Sequence, residues 1–190
     1  MRFLSLTLFC CLFLTVKGQS QDVWQTVDSL IVARDFKEAR KICSTQRSLN
    51  PNQLEATSWL ARVASSEESW GEVLQLAETA TGESGSLADS VRLGSAMGLA
   101  LNYSGQNEKA LQQMRALREQ IEDRQRTIIP EFTIWMNIHA ECLQNSGRTF
   151  EALEMLEANI GFIPKVGYSV ERGMLYNSMG ILTWSVGLYE

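Results

Sequence analysis

The chain has few side chains of the kinds that carry out catalysis, and none of them falls in a familiar catalytic arrangement. His139 is the single histidine among 190 residues, and no serine or cysteine accompanies it in a motif that would make it the base of a nucleophile. The adjacent acids Glu67-Glu68 and Glu122-Asp123 could supply a general acid and base. Adjacency in sequence, however, does not set the carboxyl separation of roughly 5 to 10 Å that glycoside hydrolysis needs. We therefore predict a core or groove role for His139 and solvated positions for the acids.

No motif for a metal, a phosphate or a nucleic acid is present either. The sequence lacks a zinc-ligand cluster and a glycine-rich phosphate loop. The formal net charge is −5, whereas a nucleic-acid-binding protein presents a basic surface. We therefore expect no enzymatic activity, no cofactor, no metal, no nucleic-acid partner in this segment and no small-molecule substrate, which leaves protein or peptide partners.

Residues 1–18 are typical of a secretory signal peptide. One positive charge at Arg2 precedes an uncharged run of 14 residues from Phe3 to Val16, too short for a membrane-spanning helix of about 20 residues. Signal peptidase cleavage requires small residues three positions and one position before the cut. Val16 and Gly18 occupy these positions for a cut before Gln19. The sequence thus predicts cleavage and export to the periplasm, the cell envelope or the medium.

Cleavage changes both the cysteine content and the charge. Cys10 and Cys11 leave with the signal peptide, and Cys43 and Cys142 remain on apolar faces of different predicted helices. We predict two buried free thiols, although an oxidising compartment permits a disulfide wherever the α-carbons lie within roughly 7 Å. The remaining 15 basic and 22 acidic residues give a net charge of −7, which disfavours binding to anionic lipid.

Apolar residues beyond the signal peptide recur at helical spacing. In residues 107–124, Ala110, Met114, Leu117 and Ile121 follow one another at intervals of four, three and four, which places them on one face of an amphipathic helix. No segment alternates with a period of two. The pattern predicts an all-α protein.

The predicted helices form pairs with a recurring break. Gly105 precedes Ala110 and Gly147 precedes Ala152 by five residues in each case. A glycine suits the left-handed conformation at a helix C-terminus, and an alanine lets two helices of a hairpin approach closely.

With these features the chain resembles the tetratricopeptide repeat family, whose unit is a helical hairpin of about 34 residues. The positions equivalent to the family's aromatic residue are 36, 70, 107, 149 and 189, at intervals of 34, 37, 42 and 40. The resemblance implies an α-solenoid that winds as a right-handed superhelix, and another helical-hairpin solenoid is the alternative. The predicted repeats span 20–51, 54–86, 91–125, 130–166 and an incomplete 170–190.

The resemblance also implies where a partner would bind. The first helix of each hairpin lines the concave side of such a superhelix, which accepts an extended peptide or a partner helix. Polar residues on these helices that the repeat pattern does not need are Asn102, Asn137, Glu141 and Asn177. We therefore expect an exported scaffold or adaptor that binds a peptide or partner helix in this groove.

The incomplete last repeat leaves a second function open. The sequence stops at Glu190, where the family pattern would continue into a second helix, so either the chain is a fragment or its last helix packs on a partner. In the first case these residues would be the extracytoplasmic sensor region of a membrane-bound receptor, a histidine kinase or transcriptional regulator. Membrane association is expected only if the chain continues past residue 190.

Overall fold

The computed structural model describes residues 23–121, 129–163 and 169–187. Every regular element in these ranges is a helix, with one isolated β-bridge between Gln53 and Ser84, which confirms the predicted all-α class. None of the helices described has the length and apolar character needed to cross a membrane. The predicted signal peptide, residues 1–18, lies outside the described residues.

The first of two compact units extends to Pro51 and contains two described helices, α1 (residues 23–32) and α2 (Phe36–Leu49). The carboxylate of Asp35 accepts a hydrogen bond from the backbone N–H of Glu38 at 3.2 Å, so Asp35 caps the start of α2. Val27 of α1 and Ala39 and Cys43 of α2 are fully buried. These apolar residues hold the hairpin together.

The second unit begins at Asn52 and contains seven described α-helices. They are α3 (Leu54–Ser66), α4 (Trp70–Thr79), α5 (Leu87–Tyr103), α6 (Asn107–Gln120), α7 (Glu131–Asn145), α8 (Thr149–Asn159) and α9 (Ser169–Ser185), with a short 3₁₀ turn at Ile160–Phe162. Each of α3, α5 and α7 packs on the helix after it and on the next but one, and α4, α6 and α8 each pack on the helix that follows. We call α3, α5 and α7 the first helices and α4, α6 and α8 the second helices.

One turn geometry recurs between paired helices. Each of four turns contains one residue with positive φ, namely Arg34 (59°), Glu68 (59°), Gly105 (76°) and Gly147 (74°). The same conformation follows α9 at Gly187 (77°). In each hairpin the next N–H donates to a carbonyl five residues back, as from Gln106 to Leu101 at 2.9 Å, which satisfies a carbonyl of the last helical turn. The left-handed conformation predicted at Gly105 and Gly147 is confirmed.

The core of this unit lies where α5, α6 and α7 meet. The predicted apolar face of α6 is confirmed, since Ala110, Met114, Leu117 and Ile121 are all buried. A Cβ at Gly98 would lie 2.5 Å from the sulfur of Met114, so glycine allows the close approach of α5 and α6. The indole N–H of Trp135 donates to the carbonyl of Met114 at 2.9 Å, which ties α7 to α6.

The last described helix, α9, has one covered face and one exposed face. Leu175 and Leu182 of α9 are buried, whereas Met174, Ile181 and Trp184 are exposed, Trp184 by 67%. Residues 181–186 thus divide between a packed face and an open one. The described cysteines, Cys43 and Cys142, are both buried thiols that are not joined in a disulfide, as predicted.

Candidate functional site

Side-chain bonds between the first helices establish their relative direction. Arg92 of α5 donates to Ser58 of α3 at 2.7 Å and to Glu131 of α7. Further along both helices, the thiol of Cys142 on α7 donates to the carbonyl of Gly98 on α5 at 3.9 Å. The helices α5 and α7 therefore run parallel, and their C-terminal ends lie at the same edge of the unit.

A buried ion cluster joins the first helices near their N-terminal ends. The guanidinium of Arg92 pairs with Asp89 at 2.9 Å and with Glu131, and it stands over the ring of Trp59 at 4.3 Å. All three charged side chains are almost fully buried. Removing one partner from such a pair is strongly destabilising because it leaves a buried charge uncompensated. The cluster therefore fixes the position of α5 between α3 and α7.

Asp89 also caps its own helix. Its Oδ2 accepts from the backbone N–H of Ser86 at 2.9 Å, and the hydroxyl of Ser86 accepts from the N–H of Asp89 at 3.2 Å. This reciprocal pair is a capping box. The carboxylate of Asp89 thus both caps the N-terminus of α5 and orients Arg92.

Asn102 is a buried polar residue on a first helix. It lies on the last turn of α5 and is only 5% exposed, yet within the described part of the chain neither its Oδ1 nor its Nδ2 has a hydrogen-bond partner. A buried amide without partners costs roughly 1 to 3 kcal/mol. An amide that offers both a donor and an acceptor matches the peptide backbone, which presents one of each.

Next to Asn102 stands a group of aromatic and acidic side chains that we call the aromatic-acidic site, composed of Glu68, Trp70, Tyr103 and Glu141. The rings of Trp70 and Tyr103 are stacked, with centroids 4.7 Å apart and planes 3° apart. The hydrogen bond to Glu141 is the largest of the effects that raise the pKa of Tyr103 to about 12, and the charge of Glu68 adds to it. Tyr103 is nevertheless 56% exposed, so its ring is accessible to a ligand.

The other polar residues predicted on the groove occupy different environments. Asn137 and Glu141 are half-buried on α7, and Asn177 is exposed on α9. Of the four predicted residues, Glu141 therefore belongs to the aromatic-acidic site, and Asn102 adjoins it through its neighbour Tyr103.

His139 lies on α7 in an apolar environment. Its ring stands 5.0 Å from that of Trp135, and neither ring nitrogen has a hydrogen-bond partner among the described residues. Burial lowers the pKa of His139 to about 4, and the charges of Arg115 and Arg148 act in the same direction. The imidazole is consequently neutral at pH 7, which fits the predicted core histidine.

The described ranges contain no group of three His, Cys, Asp or Glu side chains that could hold a metal ion. No protein-family model, curated protein or solved structure matches the chain. The site must therefore be interpreted from its own geometry.

The ion cluster and the part played by Tyr103 were not predicted. Arg92 follows Ser58 by 34 residues and precedes Glu131 by 39, intervals close to one repeat, so these residues occupy similar levels on successive first helices. This spacing could have revealed the cluster. A further signal is that Asp89 lies three residues before Arg92, on the same helix face.

Proposed function

We propose that the protein is an exported scaffold of tetratricopeptide-like hairpins that binds a peptide or a partner helix along its first helices, without chemistry of its own. The observation that carries this proposal is the amide of Asn102, which is buried on a first helix with both polar atoms unpartnered among the described residues. A peptide backbone supplies the acceptor and the donor that the amide lacks.

The packing of the first helices supports the proposal. Binding is tighter when the binding surface is already ordered, because less conformational freedom is lost on association. The buried pairs of Arg92 with Asp89 and Glu131 hold α5 and α7 in place. Asn102 therefore stands on a scaffold that is organised before a ligand arrives.

Selection of displayed random peptides on the immobilised protein tests the function. We expect the selected peptides to bind Asn102→Ala and Asn137→Ala variants about fivefold to tenfold more weakly, since a buried hydrogen bond contributes about 1 kcal/mol. The control is Gln112→Ala, which alters an exposed residue on second helix α6 and should leave affinity unchanged. Failure to select any peptide, or equal affinity for all four proteins, would refute the proposal.

A further inference from the structure

The aromatic-acidic site has the composition of a receptor for an organic cation. Trp70 and Tyr103 form a stacked pair, and the outer face of an aromatic ring attracts cations through its quadrupole. Tyr103 is one of the few large side chains of the described residues that lies mainly in solvent. The pair therefore offers a flat aromatic surface to a ligand.

Two carboxylates border this surface. Glu141 and Glu68 both lie near the phenol of Tyr103, whose pKa they raise. A carboxylate has about four acceptor positions, so Glu141 can still accept a hydrogen bond from a ligand.

The helix ends at the site carry partial charges of both signs. Tyr103 is the last residue of α5, Glu68 follows the end of α3, and Glu141 lies in the last turns of α7, whereas α4 begins at Trp70. The negative potential of the C-termini is therefore offset by the positive N-terminus of α4. The charge that favours a cation comes from the two carboxylates and from the acidic balance of the whole chain, with 22 acidic against 17 basic residues.

Asn102 is a second indication of a ligand at this end of α5. It precedes Tyr103 on the last turn of α5, is almost fully buried, and has an amide without partners among the described residues. Adjacent side chains of a helix do not face each other, so a ligand would meet the amide and the ring of Tyr103 through different groups.

We propose that the aromatic-acidic site binds an arginine side chain of a basic peptide, whose guanidinium stacks on Tyr103 and pairs with Glu141 while the peptide backbone bonds to Asn102. The inference rests on the proposed function, of which it names the ligand chemistry. Arginine fits better than lysine because its guanidinium is planar, stacks on aromatic rings and presents several donors in one plane to a carboxylate.

The test is an NMR titration of the purified protein with N-acetyl-arginine methylamide and with the citrulline analogue, which has nearly the same shape but no charge. The reporter is the indole N–H signal of Trp70, identified by its loss in Trp70→Phe. We expect a saturable shift with the arginine compound and at least tenfold weaker binding of the citrulline compound. Equal binding of the two would overturn the proposal.

Matched variants locate the interaction. Glu141→Gln should weaken arginine binding about fivefold, because it removes a charge-assisted hydrogen bond, and Tyr103→Leu should weaken it about threefold. Glu157→Gln removes the same charge from an exposed position on α8 and should change affinity by less than twofold. Equal effects of Glu141→Gln and Glu157→Gln would contradict the assignment, and circular dichroism establishes that each variant is folded.

The outcomes separate this inference from the function on which it rests. Selected peptides that depend on Asn102 but contain no excess of arginine would refute the arginine site and leave peptide binding intact. A protein that binds the arginine compound through Glu141 but selects no peptide would refute the scaffold function and leave the cation site intact.

Discussion

Replacement of Asn102 by alanine should cost the protein little or no stability even though the side chain is buried. The change removes an amide whose burial without partners costs roughly 1 to 3 kcal/mol, and it forfeits packing contacts worth about 1 to 2 kcal/mol. The free energy of unfolding should therefore change by less than about 1 kcal/mol or rise. Urea unfolding followed by circular dichroism at 222 nm measures it.

Asn159 provides a matched comparison. It is also helical, its exposure of 8% is close to the 5% of Asn102, and its Nδ2 donates to the carbonyl of Met155 at 2.7 Å. Asn159→Ala loses that hydrogen bond, about 1 kcal/mol, in addition to the same packing contacts. It should be less stable than Asn102→Ala by roughly 2 to 4 kcal/mol.

Equal destabilisation of the two alanine variants would contradict this prediction. That result would mean that Asn102 makes hydrogen bonds in the free protein, and the amide would then have no special affinity for a ligand. A stable Asn102→Ala variant that has also lost peptide binding would instead show a residue kept for binding at the expense of stability, as is common at functional sites.

Three further changes test other parts of the structure. His139 has a pKa of 6.5 in the unfolded chain and of about 4 in the folded protein. It therefore contributes stability above pH 6.5 that is lost as the pH falls towards 4. His139→Gln should reduce the difference in unfolding free energy between pH 7 and pH 4.5, measured by urea titration, by up to about 3 kcal/mol. Arg34→Gly relieves a non-glycine φ of 59° and should raise the unfolding free energy by about 1 kcal/mol, seen as a higher melting temperature. Glu131→Gln breaks the buried pair with Arg92 and should cost about 3 kcal/mol in urea unfolding. Glu151→Gln, at the solvent-exposed pair with Arg148, should cost far less, because solvent screens an exposed ion pair.

Local features of the fold could be predicted from sequence because they depend on residues close together in the chain. The apolar face of α6 follows from the spacing of Ala110 to Ile121, and the turn at Gly105 follows from the conformational freedom of glycine. The turn at Arg34 has the same left-handed geometry although no glycine occupies it. The packing of the helices on either side thus imposes the left-handed conformation on arginine.

The candidate site could be predicted only in part because its contacts join distant residues. The resemblance to tetratricopeptide repeats predicted Asn102 and Glu141 on first helices, but it does not tell a buried amide from a solvated one. The interaction between Tyr103 and Glu141 spans 38 residues, and the relative level of the two helices decides whether it forms. Such contacts follow from tertiary packing, which helical periodicity does not report.

The order of the helix contacts has a consequence for how the chain folds. In the described part of the second unit, no two helices in contact are more than two apart along the sequence. A low average separation between contacting residues is associated with fast folding, since only short loops have to close. Each hairpin can therefore dock as soon as the one before it has formed, so that folding can advance from the N-terminus during synthesis without waiting for the last helix.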